Sequence, residues 1–175
     1  MGLTAAPASA QWFVTPYAGG DFGGDTTDSK FNLGGGVGWL GGGVFGFEAD
    51  FGYSPDFFST SNGIDFASES NLATVMFNAM AAAPQRATVR PYGSGGIGWM
   101  RSFVKSAPDA FEVRNNDLGI NLGAGLIAQF NDHVGWRTDI RYFRAIVDNQ
   151  EDNEFDAAFG DFHFWRGTAG LTFSF

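Results

Sequence analysis

Glu48 and Asp50 stand two residues apart inside a run of aromatics, FGFEADFGY (Phe45 to Tyr53). Arg137, Asp139 and Arg141 stand at the same spacing inside VGWRTDIRYFR (Val134 to Arg144), and Arg166 opens the polar side of the last segment. Alternate residues of a β-strand share a face, so each segment carries a charged stripe opposite an apolar one. If the charged stripes look into one enclosed space, they can form an ion-pair network across it. Arginine suits this role because its planar fork grips a carboxylate with two hydrogen bonds. Asn32, Asn78, Asn121 and Gln129 share the same faces and can satisfy the groups left over. Such a network has two uses: a structural plug, or a gate for small ions or water. Removing one member of a buried set would cost about 3–5 kcal/mol.

Other chemistries find less support. Nucleophilic catalysis needs a histidine beside a serine and an acid. Only His133 and His163 exist, one in a short turn and one on the apolar side of the last strand, so no enzyme is expected. GGGVGWLGGG (Gly34 to Gly43) lacks the Gly-Lys-Ser/Thr ending of a phosphate-binding loop, and its glycines suit a narrow interior and a turn. Asp148, Glu151, Asp152, Glu154 and Asp156 crowd one loop without a base. They lack the spaced Asp/Asn-Gly-Glu pattern of a dedicated calcium site. With no cysteine there is neither a disulfide nor a thiolate metal site. No metal or cofactor is expected, and a net charge of -9 argues against a nucleic-acid partner.

The elements that position these residues are strands. The 26 glycines and 20 phenylalanines disfavour helices, and no run of 18 apolar residues exists to cross a membrane as one. About eight segments of roughly ten residues alternate apolar and polar, joined alternately by tight turns and long polar loops. Phe31, Leu33, Val37 and Trp39 oppose Asn32, Gly34, Gly36 and Gly38; Leu118 to Phe130 oppose Asp117 to Gln129. In the fifth segment Arg90, Tyr92 and Arg101 fit either side. The third long loop is expected from about Val104 to Asn116. This pattern predicts an all-β, eight-stranded antiparallel up-and-down transmembrane β-barrel over residues 11–175, with rings turned to lipid and charges turned inward. Trp12, Trp39 and Trp136 then fall near one rim, Trp99 and Trp165 near the other, as in an aromatic girdle. Residues 1–10, with Ala8-Ser9-Ala10, read as the end of a cleaved export signal.

The chain resembles the small eight-stranded outer-membrane barrels of the OmpA, OmpX and opacity-protein type, within the broad outer membrane protein beta-barrel domain group. RPYGSGGIGW (Arg90 to Trp99), FGFEADFGY and the terminal GTAGLTFSF carry the resemblance. It implies a bacterial outer-membrane location and a monomer among outer-membrane lipid and lipopolysaccharide. It also implies insertion by the barrel-assembly machinery, with Leu171, Phe173 and Phe175 as the C-terminal assembly signal. The chain stops at Phe175, where OmpA continues into a peptidoglycan-binding domain, so cell-wall anchoring is not expected. The expected role is structural or surface-interacting, through four extracellular loops. One alternative is a narrow channel gated by the ion-pair network. Another is a soluble lipocalin-like carrier, which would turn its apolar residues inward.

Overall fold

Strict alternation of large apolar with small or polar residues leaves an extended backbone as the conformation that sorts the two sets onto opposite faces. In the computed structural model this sorting runs through eight strands. They are β1 (Gln11–Phe22), β2 (Lys30–Gly41), β3 (Phe45–Pro55) and β4 (Glu69–Ala82), then β5 (Val89–Lys105), β6 (Glu112–Gln129), β7 (Val134–Ala145) and β8 (His163–Ser174). The structure describes residues 11–24, 26, 29–55, 57, 69–84, 88–105, 112–146 and 162–175. The expected export-signal end (1–10) and the acidic run from Asp148 to Asp156 lie outside the described residues.

Each strand pairs antiparallel with its neighbour in sequence, and β1 pairs with β8, so the sheet is a closed barrel. The seam is reinforced inside by the Thr15 and Thr172 hydroxyls, 2.8 Å apart. Following cross-strand partners once round the ring from Gln11 leads through Leu40, Gly46, Met80, Ser94, Gly123, Arg141 and Arg166 to Asp21. That ten-residue climb on β1 sets the strand tilt and leaves a bore that side chains fill.

One end of the barrel carries the tight turns. Gly42 and Gly43 adopt φ of 59° and 67°, which a side chain would resist. The Asn131 side chain accepts hydrogen bonds from the backbone N–H of His133 and Val134 at 2.9 and 2.8 Å. At the other, loop end, the structure corrects two expectations. β5 and β6 have 17 and 18 residues, well beyond ten, and pair out to Lys105 and Glu112. Val104, Lys105 and residues 112–116, expected within the third loop, are therefore paired strand. Polar composition marks a loop only when the backbone lacks partners, and here the hairpin ladder continues past the end of the apolar belt.

Rings face outward. Phe45, Phe47, Phe77, Leu122 and Phe130 are each more than half exposed, whereas Glu48 and Arg137 are both only 3 % exposed. A soluble carrier needs the reverse arrangement. The bore is not uniformly polar, however. Phe13, Leu40, Met80, Ala82, Tyr92 and Ile127 cluster inside at the turn end. Phe57, Leu72, Met76, Met100, Phe143, Ala145, Phe162 and Phe164 cluster inside at the loop end. The charged residues lie between and against these two apolar layers.

Candidate luminal site

Of the six charged residues predicted for the interior, the structure brings five together. Glu48 and Asp50 project from β3; Arg137, Asp139 and Arg141 project from β7, four strands away on the far wall of an eight-stranded ring. The Arg137 guanidinium donates to both Glu48 oxygens, Nη1 to Oε1 and Nη2 to Oε2 at 3.0 Å. Arg141 Nη2 reaches the same Oε2 at 2.9 Å and Asp139 Oδ2 at 3.1 Å, while its Nη1 stands 3.8 Å from Asp50. One carboxylate is thus shared by two guanidiniums, and a second carboxylate, Asp139, borders both.

Tyr92 completes this group from β5. Its hydroxyl donates to Asp139 at 2.5 Å and accepts from Arg137 Nε at 2.7 Å. The Arg137 guanidinium lies 4.6 Å from the Tyr92 ring centre and 5.7 Å from that of Phe13, a cation–π arrangement that ties the ion pairs to the turn-end apolar layer. Gly36 supplies room: a Cβ there would meet the Glu48 carboxylate.

Arg166 is the sixth residue, and it stands apart. Its partner is Asp21, held by Nε at 2.6 Å and Nη2 at 3.4 Å. Arg166 and Arg141 are directly opposite on β8 and β7. Like charges in that position repel, and the two guanidiniums turn to different acids, Arg141 to Glu48 and Asp139, Arg166 to Asp21. Ser54 donates to Asp21, Asn32 donates to Ser54 at 2.8 Å, and Arg166 Nη1 reaches Thr74 on the far wall at 2.9 Å. The ring of Phe143 lies 4.7 Å from this guanidinium and that of Phe164 lies 5.5 Å away. Gly52 leaves the space that Arg166 Nη1 occupies.

The remaining candidates have plain positions. Of the neutral residues, Asn121 donates to Asn78 at 2.7 Å. Arg90 and Tyr92 point inward and Arg101 outward, which settles the parity of β5. Arg90 clamps two turns together, donating to the carbonyls of Ala83 (2.9 Å) and Gly43. Trp12 and Trp39 are cross-strand partners at the turn end, where Trp136 also lies; Trp99 and Trp165 lie in the loop-end half. All five face out. Leu171, Phe173 and Phe175 face out along β8 and just beyond it. His133 lies in an exposed turn, and His163 faces out against Tyr142, ring centres 5.9 Å apart. Among the described residues no group of His, Cys, Asp and Glu is placed to hold a metal.

Sequence reasoning missed Asp21, Ser54, Thr74 and Thr168, whose hydroxyl donates to Asp139 at 3.0 Å, as members of these networks, and it missed both apolar layers. Parity carried the signal: Phe143 shares a face with Arg137 and Arg141, and Phe164 shares one with Arg166.

Comparison with known proteins agrees with this architecture. Neisserial surface protein A of Neisseria superposes with a TM-score of 0.71 at 13% identity, covering 95% of this chain and 99% of that one. The outer membrane protein OprG of Pseudomonas aeruginosa gives 0.65 at 12%, covering 96% and 97%. Ail, the attachment invasion locus protein of Yersinia pestis, gives 0.62 at 15%, covering 96% and 99%. No curated protein sequence is close enough to match. The sequence profile of the outer membrane protein beta-barrel domain matches residues 1–173. With its closed eight-stranded ring, its outward rings and that match along almost its whole length, the chain belongs to the outer membrane protein beta-barrel domain family, proteins of the bacterial outer membrane.

Proposed function

We propose that this is a sealed barrel with a structural and surface-presenting role, making its outside contacts through four loop-end connections. The layering of the bore carries this reading. A solute on the axis would meet Phe13 and Leu40, then Glu48 locked to two arginines on the opposite wall, then Phe143 and Phe164. Narrow apolar constrictions exclude water and ions, and a buried bidentate pair resists separation because each freed charge would be stranded. Three layers of different chemistry would have to open together.

The protein acts as a monomer in outer-membrane lipid, delivered by the barrel-assembly machinery through Leu171, Phe173 and Phe175. Ail has been solved with the heparin analogue sucrose octasulfate. A chain of net charge -9 is a poor match for such a polysulfate, so the loops of this barrel suit neutral or cationic partners.

A gated channel is the second reading, favoured by one observation. Asn78 Nδ2, Ser94 Oγ, Asn121 Oδ1 and Arg141 Nε and Nη1 are buried without a hydrogen-bond partner in the protein. Buried polar atoms of that kind suit bound water. Planar-bilayer recording separates the two readings. The sealed barrel gives no conductance steps; steps in the wild type that Glu48→Ala or Arg137→Ala alters would replace it with the gate.

A further inference from the structure

Among the described residues four arginines are buried, and three of them hold a carboxylate: Arg137 and Arg141 share Glu48, and Arg166 holds Asp21. Arg90 is bonded to neutral groups instead, the carbonyls of Ala83 and Gly43, through Nε and Nη2. It is only 2 % exposed. A guanidinium shut away from water without an opposite charge is costly, so a compensating anion beside it is stabilising. Nη1 is the nitrogen left to take one.

Arg90 lines a cavity of about 20 Å³ at the turn end, inside the ring where β1, β5 and β7 begin and β6 and β8 finish. The other polar walls are Arg137, Thr172, Ser174, Gln11 and Gln129. Every charged group among them is a cation. Arg137 is engaged by Glu48 and Tyr92, and Thr172 by Thr15, so Arg90 and the Ser174 hydroxyl have the most to offer a guest. Size then decides which guest. That volume takes one water-sized particle, and neither phosphate, sulfate nor a carboxylate fits. Phe13, Leu40 and Ile127 close the remaining sides, and apolar walls cost a doubly charged ion more than a singly charged one.

We propose that this cavity is a halide site: one chloride ion from the periplasm, held by Arg90 Nη1 and the Ser174 hydroxyl. Short turns face the periplasm in outer-membrane barrels, and the half-buried Gln11 and Gln129 stand at the mouth on that side. The ion ties the end of β8 to the start of β5, and so to the two turns that Arg90 already clamps. The chain's net charge of -9 keeps anions away in general, so a halide here depends on these local contacts and not on the overall field. The site holds its ion whether the bore is sealed or gated.

Two measurements on the whole chain test this. The first follows heat-induced unfolding in phosphatidylcholine vesicles in sodium chloride, sodium bromide or sodium gluconate at equal ionic strength. Gluconate is too large to enter. Both halides should raise the wild-type midpoint by several degrees over gluconate. R90Q and S174A should each lose more than half of that difference, and R90K should lose less. The second is a crystal grown in bromide, whose anomalous signal should peak in the cavity beside Arg90. No halide effect in the wild type, an undiminished effect in R90Q or S174A, or a cavity holding water only in the bromide crystal overturns the proposal. R90Q also loses the clamp on two turns; should it fail to fold, S174A and the bromide crystal decide.

Discussion

Arg137 and Glu48, 89 residues apart in sequence, meet through two hydrogen bonds across the full width of the barrel. The same Glu48 carboxylate also holds Arg141, so one acid compensates two cations on β7. Glu48→Ala takes the shared carboxylate from both and leaves Asp139 to face two guanidiniums. We expect a loss of about 3–5 kcal/mol in urea unfolding of the protein in lipid vesicles. A loss below about 1 kcal/mol would mean that solvent reaches the bore and screens it.

Gly36 offers a test of how tightly the bore is filled. Its absent Cβ is the space that the Glu48 carboxylate occupies. Gly36→Val forces the carboxylate off the fork of Arg137 and should destabilise by about 1–3 kcal/mol, as overpacking does. Gly20, where an added Cβ meets only a carbonyl at 3.4 Å, serves as a milder comparison. Equal losses at the two sites would show a generic strand effect, not contact with Glu48.

The outward rings define what the barrel touches. Phe77 is 54 % exposed in the middle of β4. In hydrocarbon, Phe77→Arg should cost about 2–4 kcal/mol, falling toward zero for the same change near either rim. A flat profile along β4 in vesicle unfolding experiments would contradict a lipid-facing wall.

Phe175 caps the seam, its N–H donating to the Trp12 carbonyl at 2.9 Å while its ring points away. If the ring is an assembly signal, Phe175→Ala should lower the folded amount in cell membranes severalfold. Refolding of the purified chain into vesicles should be nearly unchanged. Equal impairment in both settings would make the ring a stability element instead.

Outside β5, whose parity the sequence left open, which residues face inward was readable from period two, because glycine, asparagine and charge alternate with rings along the strands. Height along the axis was not. Alternation puts Arg166 on the inner face but does not say that the ten-residue climb sets it beside Asp21 and opposite Arg141. Partner choice follows from that climb, a property of the closed ring and of no single strand. The apolar layers stayed hidden because Phe143 and Phe164 sit among rings of the other parity, where composition averages them away. The extra length of β5 and β6 was also illegible, since hydrogen bonding above the belt is indifferent to side-chain polarity.

The crossbars have a consequence for how the chain reaches its native state. Asp21 waits for Arg166, 145 residues later, and Glu48 waits for Arg137. Contacts so remote in sequence form late and slowly. Every partial ring carries bare charge into a lipid medium until the final strand arrives. Half-built intermediates are therefore penalised, and docking of β8 against β1 is the step at which the other seven strands acquire a reason to stay.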